Sequence, residues 1–268
     1  MREFAYLDTL VLSALADESH LWPAVSTLLE SRGLSLALSR CHIAELHEVA
    51  RRHASICEFL ATVPTCLVAD AEAMLQAEIA SYPDRAPAEA IVLCALTPEF
   101  CKTELLRGLR SPELRDVRVA MRQNAELMQT VLDERRDNFP PGPTGRYTSD
   151  QADLFADHVV IEKLLKRSRE ALALLPKTGE IPGDAFLSLR LAPLVSFFKY
   201  YVGRRAPKTP SDLGDLCHLE YMPYCRLVVT ERDLQETLRQ LRPLTRVLDA
   251  STIKNISFLR ELGRQVAE

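Results

Sequence analysis

The stretch Phe4-Ala5-Tyr6-Leu7-Asp8-Thr9-Leu10-Val11-Leu12-Ser13-Ala14-Leu15 decides how this chain is read, because two periodicities meet inside it. Residues 4–7 form a short apolar run of the kind that makes a strand buried on both faces, and from Thr9 onward the pattern is helical. A strand that ends on a carboxylate and turns at once into a helix is a βα unit, and open α/β sheets bind their ligands at the carboxyl ends of strands. Asp8 is therefore the first candidate functional residue.

The same grammar repeats outward from that stretch. Two helices follow Asp8 and end near Arg32-Gly33, with Gly33 as C-cap, before a second strand at Leu34-Ser35-Leu36-Ala37-Leu38. Ser39 is read as the N-cap of an amphipathic helix running to about Leu60, which carries Glu45 in its first or second turn. A third strand is expected at Thr65-Cys66-Leu67-Val68-Ala69, followed by Asp70 as the cap of a helix over 71–80. From about Pro83 to Arg205 the pattern is helical almost throughout, broken at Pro98, Pro112, Pro140-Pro141-Gly142-Pro143 and Pro182-Gly183.

The strands resume only afterwards, so residues 83–205 read as a helical insertion within one domain spanning 1–268. Pro207-Lys208-Thr209-Pro210-Ser211-Asp212 signals a turn and cap before a helix from Leu213 to about Tyr221. Arg226-Leu227-Val228-Val229-Thr230 is the fourth strand and Glu231 opens the next helix. A short strand near Arg246-Val247-Leu248 and a last helix from Ile253 to Val266 complete the chain. Alternation of this kind predicts an α/β fold with a central parallel sheet and right-handed crossovers.

Composition narrows the function classes. An apolar fraction of 47% with 26% charged residues belongs to a globular protein, and a net charge of −4 gives no overall attraction to polyanions. Contact with a nucleic acid must then come from a local basic patch or from metal ions. The seven cysteines (Cys41, Cys57, Cys66, Cys94, Cys101, Cys217 and Cys225) include no C-x-x-C pair and read as reduced, buried thiols rather than as a zinc set. No apolar stretch reaches the roughly 20 residues of a membrane span, and Met1-Arg2-Glu3 runs into a strand without a signal peptide, so a cytoplasmic protein is expected.

Four acids recur at element boundaries: Asp8 after strand one, Glu45 after strand two, Asp215 before strand four, and Glu231 directly after it. Converging carboxylates suit a hard divalent cation, Mg²⁺ or Mn²⁺, which relieves their repulsion and lowers the pKa of a bound water. Taken one at a time each has a plainer role: Asp8 and Asp212 as helix caps, Glu45 and Glu231 as solvated first-turn residues.

The segments Leu7-Asp8-Thr9, Leu38-Ser39-Arg40-Cys41-His42-Ile43-Ala44-Glu45-Leu46 and Ser211-Asp212-Leu213-Gly214-Asp215, with Val228-Val229-Thr230-Glu231, resemble the PIN-domain ribonucleases. About half the chain carries the likeness, and the long helical middle is more like the larger PIN-like proteins. The resemblance implies a three-layer α/β/α fold and metal-dependent hydrolysis of RNA. Asp8, Asp215 and Glu231 would hold the metal, Glu45 would orient its water, and Thr230 would position that water or an acid. The family usually places Asp after the strand-four Thr, where this chain has Glu231 with Asp233 beyond it, so either Glu231 or Asp233 completes the site. Asp212 stands beside Asp215 as a cap or added ligand.

Lys199, Arg204 and Arg205 lie in the aromatic and cationic stretch 196–208 and are the candidates for phosphate contact, against the plainer reading of a core aromatic cluster with a solvated end. His218, like His42 and His47, reads as a satisfied helix histidine ahead of an acid/base group. The partners of this reading are an RNA substrate, together with a protein inhibitor or further copies of the chain, and no membrane. The alternative is a PIN-like module without catalysis, acting in protein interaction or regulation.

Overall fold

The computed structural model describes residues 3–117, 119, 123, 130, 134, 138–142, 147–167, 173, 175, 181–183, 185–202, 215–242, 246–249 and 251–267, without the side chains of 149, 167, 215, 246 and 267. Its centre is a six-stranded sheet in the order β4-β3-β2-β1-β5-β6. The strands are β1 (Glu3–Leu7), β2 (Leu34–Leu38), β3 (Thr65–Val68), β4 (Val92–Leu96), β5 (Leu227–Thr230) and β6 (Thr252–Asn255). All neighbouring pairs run parallel except β3 with β4, which is antiparallel. The fold class is therefore α/β, as the alternation predicts.

Side-chain alternation along the strands separates two cores. Phe4, Tyr6, Ala37, Cys66 and Val228 enter one cluster, while Ala5, Leu7, Leu36, Leu38 and Val229 enter the other. The second cluster takes Val11 and Leu15 from α1 (Thr9–Asp17), Leu29 from α2 (Trp22–Ser31), and Phe59, on a helix described below. Burial of both faces explains why the strands read as continuous apolar runs.

Local chemistry sets the βα junctions. Gly33 has φ +62, the left-handed conformation that glycine supplies cheaply, and it lets α2 stop and β2 begin at once. Ser39 caps α3 (Arg40–Leu46) in a reciprocal box, its hydroxyl accepting from the His42 N–H while His42 Nδ1 accepts from the Ser39 N–H. Asp70 caps α5 (Ala71–Ser81) through the Ala73 N–H. The helix expected to run on to Leu60 instead breaks after Leu46 and restarts as α4 (His53–Thr62), which carries Phe59.

Three further departures have physical causes. The reading of 83–205 as helical passed over β4, whose five-residue apolar run is too short for periodicity to tell strand from helix. Pairing antiparallel to β3, it also needs no crossover helix, so it leaves no βα alternation to read. Arg246–Leu248 is a 3₁₀ turn rather than a strand; the last strand is Thr252–Asn255, paired parallel with β5, and the last helix starts at Ile256. The helix expected over 213–221 is a 3₁₀ turn, Asp215–Glu220, in the part that is described.

The helical middle contributes α6 (Ser149–Arg167) and α7 (Leu187–Ser196), the second buried along its whole length and continued by a π turn, Phe197–Val202. Phe155, Leu191, Val195 and Phe197 pack with Tyr6 and Val228 in the first core, together with Leu234 and Leu238 of α8 (Arg232–Leu241). A buried carboxylate, Glu78, ties α5 to α7 by accepting from the Ser188 N–H at 2.8 Å and its hydroxyl at 2.6 Å, and it also accepts from the Tyr224 hydroxyl. The chain closes with α9 (Ile256–Ala267). No helix among the described residues is long and apolar enough to cross a membrane.

Candidate functional site

The strand order reverses at β1. From β1 the chain builds β2 and β3 on one side, and later returns to add β5 and β6 on the other. In such sheets the crevice outside the carboxyl ends at the reversal is the favoured ligand position. Asp8 follows β1 there, and Thr230 ends the adjacent parallel strand β5 with Glu231 directly after it, the strands in register through Leu7 and Val229.

Asp8 is 7% exposed and its carboxylate is held from α1 and from the end of β5. Oδ1 accepts from the Val11 N–H at 2.8 Å and so caps α1. Oδ2 accepts from the buried Thr230 hydroxyl and from the Glu231 N–H at 2.8 Å. Thr230 thus positions an acid. Glu45 arrives from the second turn of α3, and His218 from the 3₁₀ turn Asp215–Glu220. Their side chains are 12% and 4% exposed, and His218 Nε2 bonds Glu45 Oε2 at 2.9 Å.

Behind that pair runs a buried chain of polar groups. His218 Nδ1 lies 2.6 Å from the Tyr6 hydroxyl, which lies 3.1 Å from Ser39 Oγ, itself 3.0 Å from His42 Nδ1. The far nitrogen of His42 reaches the Leu7 carbonyl at 2.8 Å. Burial alone would disfavour the His218 imidazolium, but the hydrogen bond and charge of Glu45, then Cys41 and Asp8, outweigh it and raise the pKa to about 9. With both nitrogens protonated, His218 donates to Glu45 and to Tyr6, and Tyr6 donates on to Ser39. Burial, reinforced by the charge of His218, lowers His42 to about 3, so His42 is neutral and donates from Nε2 to Leu7.

Asp8, Glu45, His218 and Glu231 line one cavity of about 30 Å³, with Leu10, Met222 and Leu234 as its apolar wall. That volume admits an ion or a water and not a base or sugar. Three carboxylates opposed by one imidazolium leave two net negative charges, the complement of a divalent cation.

The chain matches no protein-family model, no curated protein and no solved structure.

Two of the remaining sequence candidates fall elsewhere. Asp233 is exposed on the first turn of α8 and Lys199 is half-buried on the π turn after α7; neither lines the cavity. Asp212, Arg204, Arg205 and the side chain of Asp215 lie outside the described residues. Two exposed cations that the sequence reading did not single out, Arg40 and Arg232, open the helices α3 and α8 that supply the cavity's walls.

Sequence reasoning also missed what sits beside Glu45. The ligand atoms of Glu45, Cys217 and His218 all lie within 4.8 Å of one another. The interaction with Cys217 and the charge of His218 draw the Cys41 thiol below its ordinary value against the effect of burial, while the interaction with Cys41, with burial, raises Cys217. Half of this cluster was visible in the chain as Cys41 and Glu45 one helical turn apart, and the other half as the adjacent pair Cys217-His218.

Proposed function

We propose that this protein is a Mg²⁺- or Mn²⁺-dependent ribonuclease of the PIN-like type, a three-layer α/β/α domain with a helical insertion over about 83–205. The observation that carries the reading is the meeting of Asp8, Glu45 and Glu231 around one ion-sized cavity at the reversal of strand order. The hydrophobic clusters on the two sides of the sheet support the layered arrangement. The donor set is oxygen-rich and suits a hard cation, with Asp8, Asp215 and Glu231 as its ligands.

When bound, that ion supplies Lewis-acid polarisation of the phosphodiester and positive charge against the leaving oxygen. Thr230 and the Glu231 N–H hold the Asp8 carboxylate in one rotamer, so the site is set before substrate arrives. Glu45, fixed by His218, orients the attacking water and accepts its proton. The water oxygen bonds to phosphorus as the P–O bond to the leaving nucleotide breaks, and the leaving oxygen is protonated. Because the cavity is small, RNA lies across its mouth, where the exposed Arg40 and Arg232 supply cations for its phosphates, and Lys199, Arg204 and Arg205 are the further candidates for phosphate contact elsewhere along the strand.

Cleavage of single-stranded RNA in Mn²⁺ tests this. Asp8→Asn is expected to lower the rate at least a hundredfold, and an unchanged rate sinks the proposal.

One observation favours a second reading, a PIN-like module without catalysis that serves protein interaction or regulation. Asp8 is already the cap of α1 and the acceptor for two groups of β5, which is a sufficient structural employment for a carboxylate. Calorimetric titration with Mn²⁺ separates the two, since such a module lacks a saturable site that depends on Asp8.

A further inference from the structure

Next to the carboxylate cavity the fold assembles ligands of a different chemical class. Cys41 and Glu45 stand one turn apart on α3 and so share a face. Cys217 and His218 are consecutive on the 3₁₀ turn packed against it. The ligand atoms of Glu45, Cys217 and His218 close to within 4.8 Å of one another, and Cys41, on the same face of α3 as Glu45, is near enough to Cys217 for each thiol to shift the other's pKa. We infer that Cys41, Glu45, Cys217 and His218 form a four-ligand Zn²⁺ site that clamps α3 to the 3₁₀ turn.

Tetrahedral zinc with bonds of about 2.0–2.3 Å needs ligand atoms roughly 3.3–3.8 Å apart, so closure of Glu45, Cys217 and His218 takes side-chain shifts of about 1 Å, and Cys41 completes the set by a larger swing of its side chain. A second observation prepares the imidazole for this role. A metal-binding histidine is normally oriented by a hydrogen bond from its other nitrogen, and His218 Nδ1 is already bonded to Tyr6 at 2.6 Å, leaving Nε2 aimed at Glu45. Tyr6 is held in turn by Ser39, so the orientation comes from β1 and the cap of α3.

Two thiolates and an imidazole select zinc over Mg²⁺ or Mn²⁺, and that separates this site from the Asp8 cavity although Glu45 and His218 border both. Cys41 and Cys217 are each half-buried, so an ion has a way in. As the metal bonds form, the two thiol protons and the Nε2 proton of His218 pass to solvent, with no change of oxidation state. Four protein ligands leave no open position, and the ion is structural. The inference does not rest on the ribonuclease reading, and in the zinc-bound form Glu45 is a ligand and not the base of that reading.

The probe is Co²⁺, titrated into the chelator-treated full chain under a phosphine reductant and then displaced by Zn²⁺. One equivalent is expected to produce thiolate-to-cobalt charge-transfer absorption and the visible bands of a tetrahedral site. Cys41→Ser and Cys217→Ser should each about halve the charge-transfer band and weaken binding at least tenfold, and the double variant should lose the band. Tyr6→Phe should keep the band and weaken binding about ten- to a hundredfold. Asp8→Asn should leave cobalt binding intact, so a failure of the RNA assay and a failure of this one are told apart. No thiolate band in the wild-type chain, full intensity in the double variant, or wild-type affinity in Cys41→Ser overturns the four-ligand site. Should a serine variant fail to fold, the wild-type spectrum still decides.

Discussion

Replacing Glu45 with Gln removes one charge from the buried pair with almost no change in volume, and its consequence runs through His218. In the metal-free protein the His218 pKa rises from its ordinary 6.5 to about 9, because the hydrogen bond and charge of Glu45 outweigh burial. A folded-state pKa above the unfolded one means that the folded protein binds the extra proton. The stabilisation is therefore fully present below pH 6.5 and is lost as pH rises through 9. At about 1.4 kcal/mol per tenfold, the step from 6.5 to about 9 corresponds to about 3 kcal/mol. In Glu45→Gln the main favourable partner is gone while burial remains, so His218 should titrate below 6.5. Urea unfolding at pH 6 should show the variant less stable by about 3 kcal/mol, with the gap narrowing as pH rises from 6.5 to about 9, and NMR titration of the ring should show the moved pKa. A gap constant from pH 6 to 9.5, or a variant His218 that still titrates near 9, refutes the reasoning.

Asp8→Ala should cost about 3 kcal/mol in urea unfolding, about 1 from the lost cap and about 2 from stranding the buried Thr230 hydroxyl and the Glu231 N–H. Asp8→Asn should cost less, since its amide oxygen retains part of that acceptor role. Arg40→Ala with Arg232→Ala should weaken binding of single-stranded RNA and lower the slope of log affinity on log salt by about 0.7 for each phosphate that is no longer neutralised. An unchanged salt slope removes these two arginines from the binding surface.

The legible parts of this protein are those written in local chemistry. Asp8, Thr230 and Glu231 could be placed because each stands where an apolar run stops, and Gly33, Ser39 and Asp70 because caps need particular residues at particular steps. β4 and β6 were not legible. All six strands have four or five residues, so length is not the difference. β4 pairs antiparallel with no crossover helix to announce it, β6 (Thr252–Asn255) carries one apolar residue, and each is decided by the neighbour it finds, β3 for one and β5 for the other. The bond between Glu45 and His218 spans 173 residues, so nothing local announces it; the chain shows only a Glu one turn from a Cys, and a Cys beside a His.

The energetics say which of these pairs matters. The bridge between Arg52 and Asp17 has side chains 22% and 53% exposed and adds little, as surface pairs do. The pair of Glu45 with His218 lies at 12% and 4%, where removing two charges from water costs more than packed apolar side chains would. The chain nevertheless commits Tyr6, Ser39 and a neutral His42 to holding His218 in place behind it. An ion pair kept only for stability would not need that support, whereas ligands waiting for a cation need to be pre-aimed, Glu45 as a carboxylate and His218 ready to give up its Nε2 proton. The same cost that makes the arrangement a poor scaffold makes it a good reason to look for a ligand there first.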